Sequence, residues 1–377
     1  MEKSDRLLCV LFGVILAAFF LAGLFKPQKG FSEFENRYLS RKPELSAKGI
    51  LSGEYMKKYE AYVTDQFPFR NQWITGKTIA ERVMLKTEIN GVYFAKDSYY
   101  IERYKRAELF SELSAKNQER LADFIGGQER LMGKEHVSVM LVPSASCILK
   151  ERLPVLAPED GQEELLDRIR ESLPEGVFVD VYGKLAEHSE EEIYYRTDHH
   201  WTTLGAFYGY CAWKEKQGEA APSVSDYEQV CLSDSFMGTL YAKVNLGMKP
   251  DRIYAFQRPG EKLRMRLDLA EEWTDTVYVK EKLLTRDQYA VFCGGNHALT
   301  EIEAFPVSPR HLLIVKDSYA HCFAPFLTAD FGRITMVDLR YYNGRLGDYI
   351  RDNQVTDVLV LYSLPGFLSD KSVNKMR

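Results

Sequence analysis

Asp198-His199-His200-Trp201 places a carboxylate, two imidazoles and an indole side by side, just ahead of an apolar run that begins at Thr202. An activated serine needs this kind of neighbour: an imidazole to take the hydroxyl proton and a carboxylate to fix the imidazole tautomer. Asp198 and His200, two residues apart in a turn, can approach one serine from the same side. Ser318 is the candidate nucleophile, in "HLLIVKDSYAHCFAPFL". There Leu312–Val315 reads as a buried strand and Tyr319 onward as a helix, which leaves Lys316-Asp317-Ser318 in the turn between them. A serine so placed sits beside free helix N–H groups, which favour developing negative charge. The alternative is that Asp317 or Ser318 only caps the helix.

Further candidates surround this trio. In "VFCGGNHA", Gly294 and Gly295 permit close backbone approach and Asn296 offers an amide N–H to an oxyanion. Arg196 is a candidate for an anionic substrate group, or a structural ion pair; Trp201 can pack over the site, and Tyr319 follows the nucleophile directly. A metal site is the weaker reading. The seven histidines include no HExxH or other ligand set, and the six cysteines form no CxxC pair. No metal and no cofactor is expected.

The elements that would carry these residues alternate in type. Helical spacing over 51–88, broken at Pro68, precedes a β-rich hairpin at 90–103. After residue 105, helix candidates alternate with apolar runs. One helix is expected to end near Gly126-Gly127 and another to span 161–173, and a third starts near Thr202. Strands are expected at 137–146, 176–185, within "YAVFCGGNHA", at 312–315, in "RITMVDLR" and in "VTDVLVLYS". This predicts a three-layer α/β/α domain with a mainly parallel sheet over 91–377, carrying a mixed, partly β insertion at 218–290.

Upstream, residues 27–90 read as a linker and helical arm, and 1–26 as a signal anchor. Residues 7–25 are 19 apolar residues without a charge, long enough as a helix to span a bilayer. Lys3 and Arg6 precede the span while Lys26, Lys29, Arg37, Arg41 and Lys42 follow it, so the charge count does not favour export. A span at the extreme N-terminus nonetheless serves as an export signal. The expected location is the plasma membrane, single-pass, with the remaining domain extracytoplasmic. The net charge of −5 and the interleaved acidic and basic residues argue against a nucleic-acid partner.

Together, "YYRTDHHWTTLGAFYGY", "FMGTLYAKV", "YAVFCGGNHA", "LLIVKDSYAHCFAPFL" and "VTDVLVLYS" resemble the DHHW family of bacterial membrane-anchored proteins. That family is similar to the periplasmic alginate O-acetyltransferases of the SGNH hydrolase superfamily. The resemblance implies Asp198 as orienting acid, His200 as base and Ser318 as nucleophile, in an order permuted relative to ordinary SGNH hydrolases. Lys316 stands where those relatives carry a small glycine. It also implies O-acetyl transfer to an exported or cell-surface polysaccharide, with a multi-spanning membrane acyltransferase as acetyl donor. A carbohydrate esterase using the same three residues, or a non-catalytic glycan- or partner-binding surface protein, are the alternatives.

Overall fold

The structure is a computed structural model that describes residues 3–32, 37–306 and 308–377; residues 33–36 of the expected arm lie outside the described residues. The chain divides into two compact units, Met1–Lys86 with Ala242–Gly247, and Thr87–Tyr241 with Met248–Arg377. In the first, helix α1 (Lys3–Phe25) includes a 20-residue stretch, Ser4–Gly23, long and apolar enough to cross a membrane. Helices Glu54–Asp65 and Arg70–Val83 follow, interrupted at Pro68 as its missing N–H and fixed φ require.

The second unit is built on a six-stranded sheet. In chain order its strands are β1 (Val137–Val142), β2 (Lys262–Leu267), β3 (Leu299–Phe305), β4 (His311–Lys316), β5 (Arg333–Val337) and β6 (Asp357–Ser363), arranged spatially as β1-β6-β4-β5-β3-β2. The first four in that order run parallel, and β3 and β2 add an antiparallel edge. Strands β1, β4 and β6 are buried along their whole length, as expected of strands covered on both faces.

Strand periodicity divides their side chains between two cores. Met140, Val142, Ile314 and Leu359 join Phe207, Tyr210 and Trp213 of helix α3 (Thr203–Lys216) on one face. Val139, Leu141, Val315 and Val360 join Leu121 and Phe124 of helix Glu112–Met132, here α2, on the other. The result is the expected three-layer α/β/α arrangement.

Three local expectations are corrected. Helix α2 runs through Gly126-Gly127 to Met132, because its buried face continues to Gln128 and a glycine pair inside a helix costs only about 1 kcal/mol per residue. Residues 176–185 form no ladder strand: Phe178 makes one isolated bridge to Val139. The Asp180 side chain then accepts from Gly183 N–H and starts helix Val181–Glu187. "YAVFCGGNHA" is a 3₁₀ turn followed by tight loop, with Cys293, Gly294 and Gly295 all at positive φ. The strand in this region lies later, at β3.

Residues 218–290, read as an insertion, hold an antiparallel ribbon (Glu228–Phe236 with Asp251–Gln257) and also supply β2 to the central sheet. Before β1, residues 88–102 form a three-stranded meander of Glu88–Ile89, Val92–Phe94 and Tyr100–Glu102.

Candidate functional site

The parallel strands deliver their C-terminal ends to one edge, where open α/β sheets collect ligand-binding residues. Ser318 lies two residues past β4, in a turn that Asp317 holds rigid. Asp317 accepts from Tyr319 N–H (2.9 Å), Ser363 N–H (2.9 Å) and Ser363 Oγ (2.7 Å). Ser318 itself is half-buried.

The Asp-His-His-Trp turn comes to the same point from the other direction. Thr202 caps helix α3 by accepting from Gly205 N–H at 3.2 Å, which fixes where the turn ends. At its start, Asp251 of the ribbon accepts from the N–H groups of Arg196 (2.9 Å) and Thr197 (2.8 Å). Between these clamps, His200 Nδ1 lies 2.5 Å from Asp198 Oδ1, and His200 Nε2 lies 2.7 Å from Ser318 Oγ. Asp198, His200 and Ser318 therefore form one hydrogen-bonded line.

The proton assignment follows from the partners. Asp198 Oδ1 also accepts from His200 N–H (3.0 Å), while Oδ2 accepts from Thr239 N–H (2.7 Å) and Thr239 Oγ1 (3.0 Å). An ionised carboxylate with four donors has its lone pairs filled. His200 must then carry its proton on Nδ1, which turns the Nε2 lone pair toward the Ser318 hydroxyl. The Thr239 hydroxyl has one proton, and it goes to Asp198. His199 Nδ1, 2.7 Å from Thr239 Oγ1, is consequently the donor in that contact.

Electrostatics agree with this arrangement. Burial pushes the Asp198 carboxyl up, but the neighbouring His199 and His200 and the donors from His200 and Thr239 hold it well below the usual carboxylate range. Burial, reinforced by His199, lowers the pKa of His200 against the opposing pull of Asp198. A neutral imidazole is thus favoured at Ser318. The ring is further fixed by Tyr289, which stacks on it with centroids 3.8 Å apart and donates from its hydroxyl to the Ser318 carbonyl at 3.2 Å.

Ligand atoms of Asp198, His199 and His200 lie within 4.8 Å of one another, the one such group of three among the described residues. The Nδ1 atoms of both rings are committed to hydrogen bonds and Asp198 is saturated, so an ion held there would have to break the line to Ser318.

Five other candidates are placed elsewhere. Trp201 is fully buried and donates Nε1–H to the Tyr319 carbonyl at 3.0 Å; it is a wall of the core and does not meet a substrate. Tyr319 is buried too, and its hydroxyl donates to the His199 carbonyl at 2.5 Å. Arg196 pairs with Glu192 at 2.7 Å and lies over the Tyr99 ring, the structural alternative rather than an anion site. Gly295 is buried in its loop, and exposed Asn296 accepts from Arg340 at 3.0 Å; neither borders the cavity at Ser318. That cavity, of about 410 Å³, is lined by Ser318 and His199 together with Glu102, Tyr104, Arg340 and Ser363.

Thr239, Gly238 and Tyr289 were not singled out from sequence. The first two lie in "FMGTL", and Gly238 is there for space: a Cβ on it would collide with Asp198 Cβ, Cγ and Oδ2. Lys316 is fully buried. Its amine lies 2.7 Å from His321 Nε2 and 3.4 Å from Asp338 Oδ2.

The profile of the DHHW proteins matches residues 124–337, more than half of the chain. The chain belongs to the DHHW family. A solved DHHW family protein from Eubacterium siraeum is similar to it, with 24% identity and a TM-score of 0.62 over 77% of this chain and 95% of that one. Bacillus cereus PatB1 with a sulfonyl adduct follows at 19% identity and a TM-score of 0.59, covering 76% and 100%. Another PatB1 structure gives 20% identity, a TM-score of 0.59 and coverage of 74% and 97%. These likenesses concern the fold, a mainly parallel α/β architecture. No functionally curated protein sequence matches the chain.

Proposed function

We propose that this DHHW protein is a membrane-anchored, extracytoplasmic O-acetyltransferase acting on an exported or cell-surface polysaccharide, with Ser318, His200 and Asp198 as its triad. The observation that carries the reading is the continuous line from Asp198 Oδ1 through His200 to Ser318 Oγ, opening onto a cavity. Helix α1 supports tethering at a membrane, and the resemblance to O-acetyltransferases supports the choice of an acetyl group.

In this mechanism His200 Nε2 takes the Ser318 proton as Oγ attacks the acyl carbonyl of the donor. Asp198 stabilises the imidazolium that forms. The backbone N–H of Ser318 serves in this mechanism as a donor to the oxyanion. Collapse breaks the bond to the donor's leaving group, which departs with the proton held by His200. A sugar hydroxyl then gives its proton to His200, attacks the acetyl-serine carbonyl and expels Ser318 Oγ, which regains a proton from His200. A supplying membrane acyltransferase would present the donor ester on the same side of the bilayer.

Hydrolysis of 4-nitrophenyl acetate by the full-length protein in detergent tests the triad. Ser318→Ala and His200→Ala are each expected to lower the rate about 1,000-fold or more. A sulfonyl fluoride should label Ser318 in the wild type and leave Ser318→Ala unlabelled, as read by mass spectrometry. Equal rates in variants and wild type end the proposal. Given ester cleavage, acetyl gain by a glycan separates transfer from hydrolysis to water; release of acetate alone assigns a carbohydrate esterase.

A further inference from the structure

The hollow at Ser318 shares a wall residue with a second one. Tyr104 lines the 410 Å³ cavity and also a second one of about 570 Å³, bounded by Tyr93 and Lys96 of the meander and by the segment that follows β1. Both volumes fall in the range of about 300–1,000 Å³ usual for small-ligand sites. The second cavity is a built polar site. Gln162, 1% exposed, shares its two Nε2 protons among Asp160 Oδ2 (2.6 Å), Ser144 Oγ (2.8 Å) and Ser146 Oγ (3.1 Å), and Ser146 Oγ donates to Asp160 Oδ2 (2.7 Å).

We infer that the two cavities are consecutive subsites of one acceptor cleft, which takes an oligosaccharide free of acidic groups. The Tyr104 ring is the platform between them. This rests on the proposed function for its choice of a glycan and adds the length and charge of the chain that fits.

The charge lining decides the class. Carboxylates outnumber cationic side chains five to three in the second cavity and three to one at Ser318. In the second cavity Lys150 pairs with Glu163 and Arg106 with Glu164, which leaves Glu151, Glu159 and Asp160 against Lys96. A uronate or phosphate polymer would enter a field of its own sign, and like-charge placement is a strong device for rejecting a ligand. Sugar hydroxyls and amines find acceptors on those same carboxylates. The Tyr104 hydroxyl donates to Glu102 Oε2 at 2.9 Å, which fixes an amphipathic ring at the junction of the two spaces, suited to the C–H face of a pyranose.

The test is binding to full-length Ser318→Ala in detergent, measured calorimetrically, so that it does not depend on turnover. The probes are disaccharides and pentasaccharides of three series: cello-, chitosan and galacturonate oligomers. The best non-acidic pentamer is expected to bind about tenfold or more tighter than its disaccharide, and pentagalacturonate about tenfold or more weaker than that pentamer. Tyr104→Ala should remove the length advantage and Tyr104→Phe, which keeps the ring, should retain it. The surface pair Glu151→Lys with Glu159→Lys should strengthen pentagalacturonate binding by about fivefold. Pentamers that bind no better than disaccharides, or a galacturonate that binds as well as the best neutral chain, overturn the inference. Failure of the triad shows separately, as absent ester cleavage and absent Ser318 labelling.

Discussion

Two neighbouring strands of the sheet each lead to a serine, one in the turn after β4 and one at the end of β6, and their hydroxyls meet different partners. Lys316, the last residue of β4, pairs in register with Leu361 of β6; Ser318 lies in the turn two residues beyond, and Ser363 closes β6. Ser363 gives its proton to a carboxylate, Asp317 Oδ2, at 2.7 Å, and Ser318 gives its proton to a neutral imidazole at 2.7 Å. Equal distances conceal unequal chemistry. Asp317 accepts from three donors, and the Ser363 hydroxyl only completes its hydrogen bonding, whereas His200 presents one lone pair to Ser318 and is backed at Nδ1 by Asp198, the arrangement of a general base. Ser363 is therefore an anchor for the turn, and Ser318 is the hydroxyl that the proposed mechanism uses.

The contrast can be broken from the reactive side first. Asp198→Asn should free His200 to flip tautomer and lower ester cleavage by about 10⁴-fold. Because its amide N–H groups face donors that the carboxylate now satisfies, it should also cost about 1–3 kcal/mol of stability. Gly238→Ala comes next. Its methyl must displace Asp198, so the expected loss is about 100-fold in rate together with about 2 kcal/mol of stability, read by kinetics and denaturant unfolding. Ser363→Ala acts on the anchoring side. It should cost about 1–2 kcal/mol, because buried Asp317 loses a donor, while ester cleavage stays within about tenfold of wild type. A larger rate effect than for Gly238→Ala would erase the distinction between the two serines.

The smallest effect is in pH. His200 has its pKa lowered by burial and by His199, and the base works only when unprotonated. Activity is therefore retained as pH falls below the unperturbed value of about 6.5 and is lost only through the lower folded pKa. His199→Gln should move that acid limb upward, as kcat/KM against pH will show.

Much of this was legible in the letters, and the omissions have physical causes. The strands β1, β4 and β6 are buried on both faces and read as unbroken apolar runs, and Thr202 announces its helix. Strand β3 does not, because Glu301 and Glu303 interrupt it. Glu301 is nonetheless buried, since Arg266 and Arg333 neutralise it, and Glu303 pairs with Arg264 at 2.7 Å; such pairs exist only once the strands are side by side. Asp198 and His200 were visible as neighbours. Thr239 and Gly238, 41 and 40 positions beyond Asp198, act by filling lone pairs and by leaving room, and neither act has a spacing to detect. Arg196, Trp201 and Tyr319 drew notice through their chemistry, but burial and local partners commit them to the scaffold.

The 118 positions between His200 and Ser318 have a consequence for how the protein comes to life. Contacts so remote in sequence form late, after most of the loop-closure entropy has been met by the rest of the sheet. A nascent or half-refolded chain thus holds an ordinary serine and an ordinary histidine. Onset of ester cleavage during refolding would serve as a clock for the closing of the last strand.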